Sequence, residues 1–170
     1  TQAGLEYLGD VDGYAIGEVI MLAGRSLDAI VRGCLRKYAR LFIIKKLPLD
    51  FAETGLTVLT DEKWLAFMIE QLLSNALKYT SRGSIRIYAE GRALVIEDTG
   101  IGIAPEDLPR LGERGYTGCN GREDKKSTGL GLYLCRRICA MLGHELRIES
   151  TPGSGTRAII AFGSDSAIYE

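Results

Sequence analysis

The chain has 170 residues, of which 46% are hydrophobic and 25% are charged, and its formal net charge is −1. This composition is that of one globular domain with a core of ordinary size, and the near-zero charge gives no global field that would attract nucleic acid. Purely apolar runs are only a few residues long, as at 41–44, so the sequence predicts no membrane span and no signal peptide.

The cysteine and histidine content gives no metal-binding pattern. The four cysteines, at positions 34, 119, 135 and 139, form no C-x-x-C pair, and the single histidine, His144, has no ligand-like spacing. Cys135 and Cys139 are four residues apart and share one face of a predicted helix. We interpret them as small core residues in a reducing compartment, with a thiol switch or a zinc site as the alternative.

The first half of the chain predicts two helices and two short strands. Residues 1–25 are Gly-rich without a clear hydrophobic period, which is typical of a linker or of the remnant of an upstream dimerisation region. From Ser26 a helix is predicted, and its basic opposite face favours a solvated surface over a docking face. Residues 47–59 predict two strands around a turn. Thr60 is then predicted to cap a second helix, with Asp61 and Glu62 as acids in its first turn. The apolar stripe of the first helix is Leu27, Ile30, Val31, Cys34, Leu35, Tyr38 and Leu41.

The second half predicts two hairpins and a third helix. Residues 85–88 and 94–96 predict strands joined by a turn at Gly91, and residues 145–162 predict a final hairpin. Residues 129–142 predict a helix that ends at Gly143. The intervening stretch 104–128 is rich in glycine, proline and charge, and such long segments are usually functional lids or disordered. This order predicts an α/β two-layer sandwich, a mixed β-sheet with helices on one face.

The second predicted helix ends in a polar face. Gln71, Asn75, Lys78 and Tyr79 are spaced so that they lie together, opposite the apolar stripe. An amide oxygen suits Mg²⁺ and an ammonium group suits phosphate, while a tyrosine ring can lie near a base. A simple polar stripe is the alternative interpretation, but the two motifs that follow favour a binding site.

A carboxylate and two glycines follow the strand at 94–96. Asp98 can accept a hydrogen bond from an exocyclic amine such as that of adenine, and strand ends are where sites collect. Gly100 and Gly102 allow the backbone to approach a ligand without an intervening Cβ atom. A plain Asp-Thr-Gly turn is the alternative.

The third motif, residues 128–132, opens the last helix with two glycines. The free amides and the dipole of a helix N-terminus attract anions, and Lys125 and Lys126 add positive charge nearby. The spacing fits neither a P-loop nor a dinucleotide-binding fingerprint. Three such motifs in this order predict one ATP site.

These motifs resemble those of the catalytic ATP-binding domain of bacterial two-component sensor histidine kinases, within the GHKL superfamily and its Bergerat-type fold. The resemblance covers about residues 26–164, followed by a tail at 165–170, and it implies an ATP lid at about 104–128. It implies that Asn75 ligates Mg²⁺ and that Asn75 and Lys78 serve catalysis. The nucleotide-binding residues that it implies are Gln71, Asn75, Lys78, Tyr79, Asp98, Gly100, Gly102, Ile103, Tyr116, Thr117, Thr128, Gly129, Leu130, Gly131 and Leu132.

The resemblance also implies partners. ATP and Mg²⁺ are the implied cofactors, and the γ-phosphoryl group passes to a histidine on a separate dimerisation domain and indirectly to a response regulator. The implied parent is a membrane-anchored homodimer in the bacterial inner membrane, with this domain in the cytoplasm and no nucleic-acid partner.

Three positions depart from the family pattern or lie outside it. Gln71 stands where the ATPase branches have a water-activating glutamate, and Gly112 stands where the lid often has an anchoring phenylalanine. His144 enters a predicted strand and lacks the acidic context of an acceptor. We therefore favour phosphoryl transfer to a protein over hydrolysis, with an ATPase of the same superfamily or a degenerate nucleotide- or protein-binding module as alternatives.

Overall fold

The computed structural model describes residues 7–11, 14–107 and 130–163, which contain nine strands and three helices. The strands are β1 (Tyr7–Val11), β2 (Tyr14–Val19), β3 (Ala23–Ser26), β4 (Leu49–Phe51), β5 (Thr57–Thr60), β6 (Ile85–Glu90), β7 (Ala93–Asp98), β8 (Glu145–Thr151) and β9 (Gly155–Ala161). The helices are α1 (Leu27–Lys45), α2 (Glu62–Tyr79) and α3 (Leu130–Leu142).

The central sheet has five strands in the order β4-β6-β7-β9-β8. The β4–β6 pair is parallel, and the other three pairs are antiparallel, so the sheet is mixed as predicted. Strands β3 and β5 form a separate antiparallel pair, and β1 pairs with β2. The two strands predicted within residues 47–59 are present as β4 and β5, but they pair with β6 and β3 rather than with each other.

Both long helices begin with a capping side chain, but the cap of α2 is Asp61 and not Thr60, the capping residue that the sequence predicts. The Ser26 hydroxyl accepts from the Ala29 amide at 3.3 Å, and Asp61 Oδ1 accepts from the amides of Lys63 and Trp64 at 3.0 and 3.3 Å. These bonds satisfy amides that have no partner within the helix. Helix α1 ends at Lys45, and the C-cap residue Lys46 adopts a left-handed conformation with φ of 56°.

The helices cover one face of the central sheet. Their buried residues form one cluster with the inward-facing residues of the strands, including Ile85, Ile87, Leu94, Ile96 and Ile160. The predicted stripe of α1 needs one correction, because Leu41 is 44% exposed and its neighbour Phe42 is buried. In the last turns of α1, it is therefore Phe42 that faces the core.

The opposite face of the sheet carries a row of charges. Arg86, Glu97, Arg157 and Glu149 are cross-strand neighbours on β6, β7, β9 and β8, so their signs alternate. The ion-pair distances along the row are 3.5, 3.7 and 2.7 Å. Side chains alternate between the two faces of a strand, so this charged row lies on the face away from the helices. The same face also carries a second, small apolar cluster of Ala93, Val95 and Ile159, so it is mixed, whereas the inner face is apolar.

Three cysteines lie in the core as free thiols, namely Cys34, Cys135 and Cys139. Burial raises the pKa of Cys34 and of Cys139 to about 12, and it raises that of Cys135 as well. Such thiols do not ionise near neutral pH, so they fit core packing rather than a thiol switch. Cys119 lies outside the described residues. Among the residues that are described, none of the helices combines the length and apolarity that a membrane crossing requires.

Candidate functional site

Helix α2 presents the predicted polar face at its C-terminal half. Gln71, Asn75, Lys78 and Tyr79 are all half-buried, whereas Leu72, Leu73, Ala76 and Leu77 are buried on the core side. The ammonium nitrogen of Lys78 lies 5.2 Å from the centroid of the Tyr79 ring. The polar side chains therefore line a partly enclosed surface rather than a fully solvated one.

Neighbouring residues Glu70 and Gln71 point in different directions. The Glu70 carboxylate forms an ion pair at 2.8 Å with Lys37 of α1. The Gln71 side chain instead lies against the start of α3, since a Cβ atom on Gly131 would stand 2.7 Å from Gln71 Oε1. The fold thus brings the polar face of α2 against the third motif at Gly131. The carboxylate of Glu70, the neighbour of Gln71 on α2, points away from that motif, toward Lys37.

Asp98 ends β7 on the helix-covered face of the sheet. It follows Leu94 and Ile96 at the two-residue period that points inward, and only 7% of it is exposed. Its Oδ1 accepts a hydrogen bond from the Gly100 amide at 2.9 Å. Burial raises the pKa of Asp98, and interactions with the Gly100 amide, the Thr80 hydroxyl and the Thr156 amide offset part of that rise.

Three hydrogen bonds join the loop after Asp98 to α2 and to the β8–β9 hairpin. The Ile101 amide donates to the Tyr79 carbonyl at 3.1 Å, and the Ile101 carbonyl accepts from the Gly153 amide at 2.8 Å. The Ile103 amide donates to the Ser150 hydroxyl at 2.8 Å. Helix α2 and the β8–β9 hairpin therefore fix the geometry of this loop before any ligand is present.

The two glycines of this loop also make room for the protein's own backbone, a role that the sequence did not predict. A Cβ atom on Gly100 would stand 2.3 Å from the Tyr79 carbonyl oxygen, and one on Gly102 would stand 2.2 Å from the Thr151 carbonyl oxygen. Gly102 also has a φ of 75°. The missing side chains make room for the protein's own backbone, so the glycines permit loop packing as well as a left-handed turn.

Three polar residues near Asp98 were missed by the sequence analysis. Thr156 is the cross-strand neighbour of Asp98, and its hydroxyl lies 2.8 Å from that of Ser150. Thr80, the first residue after α2, is fully buried. Their position beside Asp98 depends on long-range pairing, so the only local signal was that polar residues stand where helix and strand patterns end.

Part of the predicted site lies outside the described residues. Tyr116, Thr117, Thr128 and Gly129 belong to that part, together with positions 108–128 of the predicted lid. Leu130 is the first residue of α3, followed by Gly131 and Leu132, as the third motif predicts. Residues 104–107 begin the predicted lid, and Asp107 donates its amide to the Ala104 carbonyl at 2.9 Å.

His144 immediately precedes β8 and lies away from these motifs. Its Nε2 atom is 2.9 Å from the hydroxyl of Thr60, the residue that precedes the α2 cap, and its ring packs edge-on against Phe162. Burial lowers the pKa of His144 to about 4. The neutral ring is thus held in the core at the N-terminal end of α2, whereas Tyr79 is at the other end.

The protein atoms at the site suit a metal ion that is coordinated mainly by the phosphates of a bound substrate. The described residues contain no group of three or more His, Cys, Asp or Glu side chains arranged to hold a cation. Mg²⁺ is commonly bound by one or two protein oxygens together with substrate phosphates. The amide oxygen of Asn75, on the partly enclosed face of α2, fits that mode of binding.

Comparison with known families and relatives gives a consistent result. Residues 60–165 match the family described as histidine kinase-, DNA gyrase B-, and HSP90-like ATPase. The chain is 47% identical over 115 residues to the sensor histidine kinase GraS of Staphylococcus haemolyticus, covering 65% of this chain and 33% of GraS. It is 40% identical over 124 residues to the sensor protein BceS of Bacillus subtilis, covering 71% of this chain and 37% of BceS. The chain thus spans roughly a third of the length of these relatives.

Solved structures confirm the fold. Full-length ShkA in complex with AMPPNP superimposes with a TM-score of 0.70 at 23% identity, covering 84% of this chain and 32% of ShkA. The mycobacterial sensor histidine kinase MprB superimposes with a TM-score of 0.68 at 21% identity, covering 84% of this chain and 97% of that chain. The predicted two-layer sandwich is therefore correct.

Proposed function

The chain belongs to the histidine kinase-, DNA gyrase B-, and HSP90-like ATPase family, and we propose that it is the catalytic ATP-binding domain of a sensor histidine kinase. In this proposal it binds Mg²⁺·ATP and donates the γ-phosphoryl group to a histidine on a separate dimerisation domain. A response regulator then receives the group. The parent protein is a membrane-anchored homodimer with this domain on the cytoplasmic side of the membrane.

The observation that supports this proposal most strongly is the meeting of separate motifs around α2. The loop after Asp98 bonds to the last residue of α2 through the Ile101 amide, and Gln71 of α2 contacts Gly131 of α3. One end of this arrangement offers a buried carboxylate, which suits the amine of adenine. The other offers the N-terminus of a helix, which suits phosphate.

Catalysis in this proposal rests on positioning and charge. Asn75 holds Mg²⁺ through its amide oxygen, Lys78 contacts phosphate oxygens, and the backbone at residues 129–132 cradles the phosphate chain. Mg²⁺ held there would supply neutralisation of the negative charge on the triphosphate. Phosphoryl transfer of this kind depends on alignment and electrostatic stabilisation more than on covalent chemistry by the protein.

The surroundings of Gln71 favour transfer to a protein over hydrolysis. An amide cannot remove a proton from water, and the adjacent Glu70 is committed to Lys37 at 2.8 Å. No carboxylate on α2 is therefore directed toward Gly131, where the phosphates are proposed to lie. An ATPase of the same fold is the weaker candidate for this reason.

The first experiment is a calorimetric titration of the chain with ATP, with and without Mg²⁺. Saturable binding that is tighter with Mg²⁺ supports a nucleotide-binding domain. The absence of heat at millimolar ATP would leave the degenerate protein-binding module as the better proposal.

The second experiment tests the direction of transfer. The chain is incubated with γ-labelled ATP alone, and then with the histidine-bearing hairpin of the parent as a separate protein. We expect acid-labile label on the hairpin only, at a rate that depends on hairpin concentration because no tether raises the effective concentration. Label on this chain that disappears in His144→Ala would overturn the assignment of donor and acceptor.

A further inference from the structure

Thr80 occupies an unusual position at the junction between α2 and the loop after β7. Thr80 is fully buried, with 0% of its surface exposed. Its hydroxyl is one of three buried side-chain polar atoms in the described residues that make no hydrogen bond of normal geometry, the others being Trp64 Nε1 and His144 Nδ1. Buried hydroxyl groups are nearly always bonded, so the polar groups next to this oxygen are the candidates for its partner.

The surroundings of the hydroxyl indicate which group that partner is. A Cβ atom on Gly100 would stand 2.7 Å from Thr80 Oγ1 and 2.9 Å from Asp98 Oδ1, so the two oxygens flank the same point. Interaction with the Thr80 hydroxyl favours the ionised form of Asp98 and offsets part of the rise in its pKa that burial causes. The Asp98 carboxylate is thus the acidic group beside which this hydroxyl is held.

The backbone holds Thr80 rigidly in that position. The preceding carbonyl, that of Tyr79, accepts from the Ile101 amide at 3.1 Å. Gly100 donates its amide to Asp98 Oδ1 at 2.9 Å. The loop therefore holds Oδ1 of Asp98. A second contact from the α2 side, where Thr80 lies, would set the orientation of the whole carboxylate.

We propose that Thr80 is a positioning residue for purine selectivity: in the nucleotide-bound state its hydroxyl donates to the Asp98 carboxylate and fixes it in the orientation that accepts the exocyclic amine of adenine. This inference rests on the proposed function, since it assumes that Asp98 meets the purine. It adds a residue that lies outside the glycine motifs and acts only through Asp98.

The test compares Thr80→Val with Thr80→Ser by measuring Kd for ATP and for inosine triphosphate, which carries an oxygen in place of the exocyclic amine. Valine keeps the shape and loses the hydroxyl, whereas serine keeps the hydroxyl. Thr80→Val is expected to weaken ATP binding about tenfold, the loss of one hydrogen bond to a charged group, and to leave inosine triphosphate binding nearly unchanged. Thr80→Ser is expected to retain the parent's preference for ATP.

Thr60→Val is the matched control. Thr60 is also 0% exposed, and its hydroxyl bonds to His144 at the opposite end of α2, roughly 26 Å away along the helix. This variant loses a buried hydroxyl without touching the proposed purine pocket, so its ratio of the two Kd values should equal that of the parent.

The outcomes separate this inference from the proposed function. If the unmutated chain binds neither nucleotide, the proposed function itself is contradicted. If the unmutated chain prefers ATP to inosine triphosphate and Thr80→Val has the same ratio of the two Kd values, the role of Thr80 is overturned and the proposed function stands. If Thr80→Val does not fold, Thr80→Ala and Thr80→Ser decide the question, because equal preferences in those two variants overturn the role of the hydroxyl.

Discussion

The Ile101 amide donates to the carbonyl oxygen of Tyr79 at 3.1 Å, which joins the loop after β7 to the last residue of α2. Tyr79 ends the polar face that begins at Gln71, and Ile101 lies between the two glycines of the loop. The bond also satisfies a carbonyl at the helix C-terminus, where no partner within the helix is available. Two motifs that are 19 residues or more apart in sequence thus become one rigid surface.

Gly102→Ala should destabilise the fold far more than Gly153→Ala. Both glycines have similar left-handed backbones, with φ of 75° and 80°, so the conformational cost of alanine is nearly the same at each. At Gly102 the new Cβ atom would stand 2.2 Å from the Thr151 carbonyl oxygen, whereas at Gly153 it meets nothing within 4 Å. We expect the difference in unfolding free energy by urea titration to exceed about 2 kcal/mol. Equal losses would mean that the backbone relaxes freely around residue 102.

Asp98→Asn should weaken ATP binding without lowering the stability of the nucleotide-free protein at pH 7. Burial raises the pKa of Asp98 in the fold, so folding favours its neutral form. The stability that this group contributes is present below its unfolded pKa of 3.8 and is lost as pH rises through the folded pKa. Above the folded pKa the ionised carboxylate no longer contributes that stability, and asparagine, which does not ionise, avoids the loss.

The measurements for Asp98→Asn are the Kd for ATP and the Tm without nucleotide. We expect the Kd to rise by about tenfold or more, since a charged acceptor is lost, and the Tm to be equal or higher. A lower Tm with unchanged ATP affinity would show that Asp98 is structural.

Asn75→Ala should impair binding of Mg²⁺·ATP more than binding of metal-free ATP. The amide oxygen is proposed as a protein ligand of Mg²⁺, and the described residues offer no carboxylate cluster to replace it. The Kd for ATP is measured in Mg²⁺ and in a chelator for the variant and for the parent. An equal loss in both conditions would assign Asn75 to packing or to direct nucleotide contact.

Acidification from pH 7 to pH 5 should destabilise the parent more than a His144→Gln variant. The pKa of His144 falls from 6.5 to about 4 on folding, so the fold favours the neutral ring. The stability from this group is present above the unfolded pKa and is lost as pH falls from 6.5 through about 4. Linkage gives a loss of about 2 kcal/mol at pH 5.

The check on His144 is urea unfolding of both proteins at the two pH values. His144→Gln keeps a polar side chain near Thr60 but has no titrating group, so its loss of stability should be smaller by that amount. Identical pH dependence in parent and variant would show that the ring is readily protonated in the folded state.

The three buried cysteines should be unreactive in the folded protein. Burial raises the pKa of Cys34 and Cys139 to about 12, and neither they nor Cys135 is paired. Variants that each retain one of these thiols, with the remaining cysteines replaced by serine or alanine, are treated with a thiol-specific reagent at pH 8. We expect labelling on the timescale of unfolding, and rapid native-state labelling of any one of them would revive the thiol-switch alternative.

Local signals in the sequence determined the elements and the chemical character of the site. The starts of α1 and α2 to within one residue, the helical stripe of α2 and the alternation in β7 are set by residues a few positions apart, so they can be recognised without the fold. The same applies to the order of the amide, carboxylate and glycine motifs, from which the ATP site and the family were predicted.

Only the tertiary structure decided which residues meet. The separation of β4 from β5, the burial of Thr80, the pairing of Thr156 with Asp98 and the contact of Gln71 with Gly131 all depend on chain segments far apart in sequence. Neighbouring residues encode helix and strand periods, whereas strand partners and loop contacts are selected by burial of the whole apolar surface at once. For this reason the sequence identified the carboxylate that is proposed to bind the purine, and the fold was needed to find the hydroxyl beside it.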